Sequence, residues 1–588
     1  MRKKLTIILF LLIVFGAETF AERRYVSKTG TSTQPYTSWE TAADSIMKAM
    51  SLSIQGDTII VGEGVFTEVV IFNRGVTLIG MGWESTVIKF PEGISNSGAV
   101  FLSDWTEISN LKIEGVGTEG YNRGIRGFRS DGQNLNFTIK YLKISNFFGG
   151  MSLAGSYLPI GDTLYVHDNV IDSCKVGIAV QVNNIVIKDN FITASETALH
   201  LQIASSSIVH DNVLISAPYF FTFFMKFTTI QEGFSNPAKI YNNRLSSLFE
   251  TYIDNNSWGI EAGPDTIKNN ILTGNFGVAI RTNGTSTYRD IFNNHISGGR
   301  IYGFLGQSPL RFNNFWSNSR HYRTEDGSVV DTISNIIHFP MFVNEDKDYH
   351  LQAYSPLIDA GDTLVKDKDG TRSDIGLYGG PFGTTYPYLD LAPLEPRGIT
   401  ATVTGDTTQL NWKRNHESDF NHYLVYGDTT QGFNADSTHL IGTTTDTIFT
   451  KIIPGFSGSY YISFKSEDNQ GNISDASEEI RIVPVGVKGE GHEVAMDYRL
   501  FQNYPNPFNP GTVIGFRLKE EGRVQLTIYT LTGEKIKELR DESLSAGYYE
   551  SLFTGEGLSS GIYLYKLNVI SPSGLPVYTD IKKMILVK

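Results

Sequence analysis

A short phrase repeats seven times between Val166 and Trp316, and it constrains the fold more than any other feature of the chain. Each copy has two polar residues, the second an asparagine, with an apolar residue close behind. Successive copies lie 20 to 31 residues apart, which is too short for an array of helical hairpins and suits one coil of a solenoid of strands. The asparagines that end the seven phrases are Asn169, Asn190, Asn212, Asn243, Asn270, Asn294 and Asn314.

Asparagine suits the corner between two strands of such a coil. One residue there must take a left-handed backbone conformation, which asparagine tolerates and β-branched residues resist. We expect asparagines at equivalent corners to stack as a hydrogen-bonded ladder. Apolar residues alternate between the corners, as in Ile178, Val180 and Val182, and this period of two is typical of strands with one buried face. The pattern predicts a tube of stacked strands.

Earlier coils carry the same strand pattern without the asparagine, at residues 77–79, 86–88, 111–113 and 142–144. With these coils, residues 22–384 resemble the right-handed parallel β-helix proteins of the pectate-lyase-like superfamily. A helix is expected to open at Ser38, because Ala42, Ile46 and Met50 share one apolar face. Such a helix would cover the open strand edges of the first coil.

The first 21 residues predict a secretory signal peptide. Three basic residues after Met1 precede an apolar run from Leu5 to Phe15, and Ala21 stands before the expected cleavage site. The run is too short to span a bilayer comfortably, and no other segment is apolar for long enough. We therefore expect no transmembrane segment in the mature chain, and a location outside the cytoplasm.

Charge and cysteine content exclude several classes of partner and site. Cys174 is the single cysteine, so an intrachain disulfide and a cysteine-based zinc site are excluded. Its place in an alternating strand predicts a small buried side chain rather than a nucleophile. The net charge of −13 argues against nucleic acid as a partner, whereas a local basic patch could still bind an anionic polysaccharide. The chain is expected to be a monomer.

A second domain is expected after the β-helix. A proline-rich linker at 385–396 precedes residues 397–484, where short alternating strands, with Trp412 early and Phe464 late, predict a β-sandwich. Residues 466–474 resemble the hairpin near the end of fibronectin type III domains. We interpret this domain as a spacer or a module that faces carbohydrate. A glycine-rich linker is expected at 485–497.

Residues 498–588 hold the most specific motifs of the chain. The phrases at 503–510 (Asn-Tyr-Pro-Asn-Pro-Phe-Asn-Pro), 533–535, 546–548 and 558–563 closely resemble the C-terminal sorting domain of type IX secretion substrates. The resemblance implies the type IX machinery as a partner, transport across an outer membrane, removal of the domain and attachment to the cell surface. The residues alone predict a small β-sandwich with turns fixed by proline and glycine.

Strand alternation indicates which side chains of the β-helix face outward. Because Ile178 and Val180 are expected to point inward, Gln181 points outward, and the same count continues from each asparagine. A row of amides, cations and a ring suits an extended sugar chain, since hydroxyls need paired donors and ring faces need stacking. We expect substrate contacts from four of these outward residues, Gln181, Gln202, Phe224 and Glu250. The others are Thr222, His200, Lys226 and Arg281.

Phe224 belongs to an aromatic-rich segment, residues 219–227, in the longest coil. These rings form either a wall of a glycan-binding groove or the core of an enlarged coil, and aromatic residues are more often core.

Two kinds of polysaccharide cleavage place different demands on the outward face. Hydrolysis needs two carboxylates at a fixed separation, and the face offers Glu250, Asp254 and Glu261, without the Gly-His-Gly and Arg-Ile-Lys signatures of polygalacturonase-type β-helices. A lyase needs a base and a cation that stabilises an enolate. The missing hydrolase signatures favour lyase chemistry over hydrolysis. The Arg-x-Pro-x-x-Arg phrase of common pectate lyases is absent as well, so turnover itself stays open. The candidate catalytic residues are His200, Lys226 and Arg281.

Calcium is the one cofactor that the sequence suggests. Asp367, Asp369 and Asp374, with Asp359 and Asp362, offer the oxygen ligands that a hard cation prefers. The spacing lacks the closing glutamate of an EF-hand loop, and Asp-x-Asp-Gly also occurs in ordinary turns, so solvated turn carboxylates are the alternative.

These features together predict an all-β chain in which a right-handed parallel β-helix precedes two small β-sandwich domains. They predict an exported, cell-surface protein that binds or degrades polysaccharide. The alternative is a non-catalytic adhesin or a structural β-helix protein.

Overall fold

The structure is a computed structural model, and the residues that it describes are 21–128, 136–154, 163–182, 184–202, 207–216, 223–228, 238–247, 257–262, 266–274, 276–282, 290–306, 308–323, 334–345, 347–404, 407–452, 459–482, 498–503, 506, 508, 511–545, 547–555 and 557–586. The chain divides into two compact units, Met1–Leu351 with Pro356–Pro387 and Gln352–Ser355 with Tyr388–Lys588. The predicted signal peptide, except its last residue, and the predicted linker at 485–497 lie outside the described residues.

The first unit is a parallel β-helix whose 30 strands form one hydrogen-bonded network. Register pairing follows three stacks, called here the first, second and third sheets, and strands that turn a corner contribute to two of them. The strands of the first sheet are Arg23–Val26, Thr58–Val61, Thr77–Gly80, Thr106–Glu114, Phe137–Ser145, Leu164–His167, Ile185–Lys188, Ile208–His210, Lys239–Tyr241, Thr266–Lys268, Asp290–Phe292 and Leu310–Arg311.

The second sheet continues after the first corner of each coil. It includes the later parts of Thr106–Glu114 and Phe137–Ser145 and the beginnings of Val170–Gln181 and Phe191–Gln202. Its other strands are Gly64–Thr67, Thr86–Lys89, Val213–Ser216, Arg244–Ser247, Ile271–Thr273, His295–Ser297 and Asn314–Trp316.

The third sheet completes each coil and includes the ends of Val170–Gln181 and Phe191–Gln202. Inside the tube, apolar residues stack in register, as Ile178, Leu199, Ile260 and Ile280 do, and these four are fully buried. Its other strands are Val70–Ile71, Gly98–Leu102, Arg123–Phe128, Gly149–Ala154, Phe223–Thr228, Trp258–Ala262, Phe276–Thr282, Gly299–Leu305 and Tyr322–Arg323.

A helix, Ile46–Leu52, packs against the first coil. It begins later than the predicted start at Ser38, because Ser38 and Thr41 hydrogen bond to each other in a turn. The Ser45 side chain caps the helix by accepting from the backbone N–H of Lys48. Ile46, with Ala49 and Met50, is buried against the tube. Among the described residues, no helix is long and apolar enough to cross a membrane.

The asparagine side chains form a ladder along the corner between the first and second sheets. The side-chain Nδ2 of each donates to Oδ1 of the next at 2.9 to 3.1 Å, and the same oxygen accepts the donor's backbone N–H. From Asn169 to Asn313 these residues are at most 1% exposed, so the ladder satisfies amides that would be costly to bury unpaired. Its members are Asn169, Asn190, Asn212, Asn243, Asn270, Asn294, Asn313 and Asn335.

The left-handed corner residue precedes the ladder asparagine, so the expectation that the asparagine itself takes this conformation is wrong. Asp168 has a φ of 55°, and Phe312 has a φ of 53°. Because Phe312 occupies the corner, Asn313 takes the ladder position, and the prediction of Asn314 as a ladder residue is also wrong. Asn314 pairs in register with His295 instead. The other corner residues with positive φ are Asp189, Asp211, Asn242, Asn269 and Asn293.

Three of these corners bind the segment that closes the β-helix, residues 356–387. The Asn242 side chain donates to the carbonyl oxygen of Gly379 at 3.0 Å, and that of Asn269 donates to the carbonyl oxygen of Asp374 at 3.0 Å. The Asn293 Oδ1 accepts from a backbone N–H of the same segment at 2.7 Å. These corners need an amide because it both donates and accepts, which a carboxylate cannot do. A short antiparallel pair, Phe342–Asn344 and Asp348–Leu351, precedes this segment.

The second unit contains two antiparallel β-sandwiches. In the first, Trp412 and Phe464 are buried together with ring centroids 4.7 Å apart, as expected for a sandwich core. Its sheets are Thr400–Thr404, Thr407–Asn411 and Ile448–Ile452 against Leu440–Thr444, Phe420–Asp428, Tyr460–Asp468 and Ile480–Ile482. Those of the second are Arg499–Leu500, Gly511–Leu518 and Gly547–Thr554 against Lys535–Leu544, Gly522–Thr530, Gly561–Ile570 and Pro576–Leu586. The predicted fold class, a right-handed parallel β-helix followed by two small β-sandwiches, is confirmed.

Candidate functional site

One row of outward positions runs along the third sheet, and we call it the basic row. His200 pairs in register with Lys226, Lys226 with Glu261, and Glu261 with Arg281. Neighbouring positions are about 4.8 Å apart, the usual spacing of paired strands. The row consists of Phe101, Arg126, Ser152, Ala179, His200, Lys226, Glu261, Arg281, Leu305 and Arg323.

The structure thus brings the three predicted catalytic residues into one line. His200 and Arg281 are partly exposed, while Lys226 has a described backbone and a side chain outside the described set. The three positions come from coils of different length, 22, 31 and 24 residues at the ladder for His200, Lys226 and Arg281, yet the register keeps them aligned. Their alignment makes a common ligand possible, and their chemical roles stay predictions.

Gln181 and Gln202 lie in a second row, two positions further along the strands. Gln181 pairs with Ala154, and Gln202 pairs with Thr228. Since residues two apart share a face of a strand, this row flanks the basic row. The side chain of Gln202 lies outside the described set, whereas Gln181 is partly exposed.

The structure does not place the other predicted substrate contacts on the basic row. Phe224 stands between Phe223 and Met225, whose register partners are Thr197 and Leu199, so its position matches the buried Ala198 rather than the basic row. Its side chain is not among those described. The other three predicted positions, Thr222, Glu250 and Asp254, lie outside the described residues.

Arg281 is held by two neighbours on the preceding coil. Its Nη1 lies 3.9 Å from Oε1 of Glu261, and its guanidinium lies 5.2 Å from the ring centroid of Trp258. The Glu261 side chain is only 12% exposed, so this pair is screened less than a surface ion pair. The arrangement fixes the guanidinium beside an indole ring, a combination that can bind a carboxylate and an adjacent sugar face.

A second cationic and aromatic cluster lies near the other end of the third sheet, and the sequence analysis missed it. Arg123 lies over the Phe148 ring at 4.7 Å, and Lys175 lies over the same ring at 5.7 Å. The Tyr121 ring, 62% exposed, packs against Phe148 at 4.6 Å. Burial and the nearby Arg126 lower the pKa of Arg123. Arg123 and Phe148 are in coils without a ladder asparagine, so the counting that located Arg281 had no starting point there.

Arg123 lies flat because its neighbour in the next coil has no side chain. A Cβ at Gly149 would stand 2.6 Å from Cδ of Arg123. The glycine therefore lets the long side chain cross the strand.

The hydroxyl of Tyr302 lies between two arginines beside the end of the basic row. Its hydroxyl accepts from Nη1 of Arg320 at 2.8 Å and from Nη1 of Arg323 at 3.4 Å. These hydrogen bonds, from Arg323 first and then Arg320, lower the pKa of Tyr302. A phenol whose anion is stabilised in this way can act as a general base more readily than an ordinary tyrosine.

The predicted calcium ligands do not converge. Asp367 accepts the backbone N–H groups of Asp374 and Gly380, and Asp374 accepts that of Asp359 at 2.8 Å. Asp369 accepts from Thr371 in its own turn. Within the described ranges, these carboxylates do not form a group of three with oxygens close enough to share an ion. The structure does not bring Asp367, Asp369 and Asp374 together, and calcium binding by these residues stays a prediction.

Asp362, a further acidic residue of that prediction, forms an ion pair. Its Oδ2 lies 2.7 Å from Nη1 of Arg311, whose guanidinium also contacts Asp290 at 2.7 Å. This pairing attaches the closing segment to the last coils.

A cavity of 190 Å³ lies elsewhere on the first unit, beside the ladder corner. It is lined by Asn242, Arg244, Tyr378 and Phe382, so the closing segment forms one wall. An extended polymer needs a long open surface rather than a small cavity, and the basic row offers that surface.

No protein-family model matches the chain, and no curated protein matches its sequence. Three examples of solved structures that are similar at low identity follow. The complex of XylC with xylose is 11% identical, with 68% of this chain and 91% of that chain covered and a TM-score of 0.37. DFA-IIIase from Arthrobacter chlorophenolicus A6 in complex with DFA-III is 12% identical, with coverages of 52% and 85% and a TM-score of 0.33.

The third structure is alginate lyase from Paenibacillus sp. str. FPU-7, which is 14% identical. It covers 41% of this chain and 91% of its own, with a TM-score of 0.26. At these similarities, any functional conclusion must come from the geometry of this chain.

Proposed function

We propose that the β-helix binds an acidic polysaccharide along the basic row. The observation that carries this proposal is the register itself, which places Arg126, His200, Lys226, Arg281 and Arg323 on one line of the third sheet. The chain has a net charge of −13, so a line of cationic positions is a local feature and not a consequence of composition.

Three physical properties of the row suit a chain of uronic acids. The step between coils is similar to the length of one pyranose unit, and Lys226, Arg281 and Arg323 stand two coils apart, so they can meet the carboxylates of every second sugar. Arginine binds carboxylates through two parallel hydrogen bonds. Rings at Trp258 and Phe148 lie beside arginines near opposite ends of the sheet, where they can stack on sugar faces.

The same surface could support β-elimination, and this is the catalytic form of the proposal. His200 would take the proton next to the uronate carboxylate, and a cation at Lys226 or Arg281 would stabilise the resulting enolate. The C4–O bond then breaks as the C4–C5 double bond forms, and the leaving glycosidic oxygen takes a proton from water. A non-catalytic adhesin is the second candidate. It is favoured by Glu261, which lies between the two cations in register and offsets part of their charge.

We also propose that the protein is exported and held at the cell surface. The signal-like N-terminus and the sorting-domain motifs of residues 498–588 support this route, with Sec-type export followed by type IX secretion. Deletion of residues 498–588 in a host with that machinery should leave the protein inside the outer membrane. Surface labelling that is unchanged by the deletion would contradict the route.

Binding is tested with the full chain by affinity electrophoresis against polygalacturonate, alginate and a neutral glucan. We expect retardation by an acidic polymer alone, with Arg126→Ala and Arg281→Ala weakening it about three- to tenfold each. Lys143→Ala is the matched control, because Lys143 is a partly exposed cation paired with Asp172 in the second sheet. Equal effects of all three variants would reject the basic row.

Turnover is tested in the same samples by ultraviolet absorbance of the unsaturated uronate that elimination produces. Retardation with no absorbance and no new reducing ends would identify a binder. Reducing ends without absorbance would identify hydrolysis and overturn the proposed chemistry.

A further inference from the structure

Three carboxylates converge at one end of the first β-sandwich. Oxygens of Asp390, Asp419 and Asp468 lie within 4.8 Å of one another, and they form the one such acidic group among the described residues. Asp419 precedes the strand Phe420–Asp428, and Asp468 ends the strand Tyr460–Asp468 that pairs with it. The fold therefore brings together residues that are distant in sequence.

Asp419 is the informative member of this cluster. The residue is 6% exposed, and no other described residue donates a hydrogen bond to its carboxylate or pairs with it. The carboxylate of Asp419 is repelled by those of Asp468, Glu417 and Asp390. A buried carboxylate that faces other carboxylates, with only its own backbone N–H as a donor and no cation beside it, is costly, and a bound cation would remove the cost.

The other two carboxylates are already oriented. Asp468 Oδ1 accepts the backbone N–H groups of Gln470 and Asn472 at 2.9 and 2.8 Å. The Nδ2 of Asn472 donates to Asp468 Oδ2 at 2.9 Å and to Asp390 Oδ1 at 3.0 Å. This amide joins Asp390 to the hairpin, and its assigned orientation can reverse to present an oxygen to the same space.

We propose that Asp390, Asp419 and Asp468 form a calcium site in the first β-sandwich. Three carboxylates supply up to six oxygens, and calcium accepts mono- or bidentate carboxylates in flexible geometry, whereas magnesium demands a stricter octahedron. Calcium offsets the negative charge that surrounds Asp419 and ties Asp390 to the end of the sandwich. The site is separate from the acidic turns of the β-helix and does not depend on the function of the basic row.

The proposal predicts opposite effects of one substitution with and without metal. In chelator, Asp419→Asn should unfold at the same temperature as the unchanged protein or higher, because it removes an uncompensated buried charge. With calcium chloride, the unchanged protein should gain stability and Asp419→Asn should not. A purely structural aspartate would instead give a lower transition temperature under both conditions.

The experiment is calorimetric titration of the full chain with calcium chloride, followed by thermal unfolding of the same samples. We expect Asp419→Asn to lose one binding site, and Asp390→Asn to weaken that site at least tenfold. Asp446→Asn is the matched control, an exposed aspartate of the same sandwich outside the cluster. An Asp419→Asn protein that keeps every calcium site, or an unchanged protein that binds no calcium, would overturn the proposal.

Discussion

The side-chain amide of Asn212 donates to the Oδ1 of Asn243 at 2.9 Å, although 31 residues separate the two in sequence. The ladder step therefore has the same length across the longest coil as across coils of 21 or 22 residues. The additional residues of the longest coil therefore lie between its corners, and the hydrogen bonds at the ladder corner do not change.

Removing one member of this ladder should be strongly destabilising. Asn243→Ala removes the Oδ1 that accepts the backbone N–H and one side-chain hydrogen bond of Asn212, and it removes the Nδ2 that donates to the carbonyls of Val209 and Tyr241. We expect a loss of about 2 to 4 kcal/mol in the free energy of unfolding, because buried groups become unpaired. Denaturant unfolding measures it, with the exposed Asn73→Ala as control.

An unfolding free energy for Asn243→Ala within about 0.5 kcal/mol of the control would mean that the ladder adds little to stability.

The sequence predicted the ladder well because its chemistry repeats. One asparagine per coil, followed by an apolar residue, is enough to identify the corner, and six of the seven predicted members are correct. The seventh failed because Asn313 and Asn314 are adjacent, and only the strand register decides which of them follows the left-handed residue. The pattern gave no reason to expect phenylalanine at that corner.

The third sheet shows a different limit of sequence analysis. Counting from the asparagines located His200 and Arg281, because alternation is reliable within one coil. It did not locate Arg123 and Phe148, whose coils have no asparagine. The acidic cluster of the first sandwich was also missed, because Asp419 and Asp468 meet only after two strands pair.

The closing segment explains why the corner residue changes from aspartate to asparagine along the tube. Asp168 and Asp189 each contact a basic neighbour, whereas Asn269 donates to the Asp374 carbonyl and to the Ser373 hydroxyl. We expect Asn269→Asp to detach residues 356–387, since a carboxylate there faces a carbonyl and cannot donate. Limited proteolysis should then cleave this segment first.

Asp189→Asn is the control for that experiment, because its corner faces Lys188 and not the closing segment. Equal protease resistance of Asn269→Asp and Asp189→Asn would show that the asparagine corners do not hold the segment.

Cys174 should be chemically inert in the folded protein. The residue is 2% exposed, and burial raises the pKa of its thiol to about 12. Only the thiolate reacts with iodoacetamide, so labelling at pH 8 should be at least about a hundredfold slower than in denaturant. Mass spectrometry measures the labelled fraction, and rapid labelling of the native chain would contradict the buried position.

His295 should make the β-helix sensitive to acid. It is 1% exposed, its Nδ1 lies 3.0 Å from Nδ2 of Asn314, and burial lowers its pKa to about 3. Because the folded pKa lies below the usual value of about 6.5, protons bind the unfolded chain more tightly. This contribution to stability is complete above pH 6.5 and is lost as the pH falls towards 3, with roughly 2 kcal/mol gone at pH 5.

Comparison with His295→Gln isolates this effect from the titration of carboxylates. The difference in unfolding free energy between the two proteins should shrink as the pH falls from 7 to 4. A difference that is independent of pH would show that His295 is not buried as a neutral ring.

Glu261 gives the sharpest distinction between binding and hydrolysis on the basic row. Its Oε1 lies 3.9 Å from Nη1 of Arg281 and offsets part of the positive charge that an acidic polymer would meet. Glu261→Gln keeps the shape and removes the charge, so we expect binding of an acidic polysaccharide to tighten roughly two- to fivefold, as an ion pair of this kind implies. The gain should disappear at high salt, because the added attraction is electrostatic.

If Glu261 were instead a hydrolytic carboxylate, the same substitution would abolish the release of reducing ends and leave affinity nearly unchanged. Affinity electrophoresis and a reducing-end assay on the same two proteins therefore separate the two roles. A role in binding predicts tighter binding by Glu261→Gln, whereas a role in hydrolysis predicts a loss of reducing-end release.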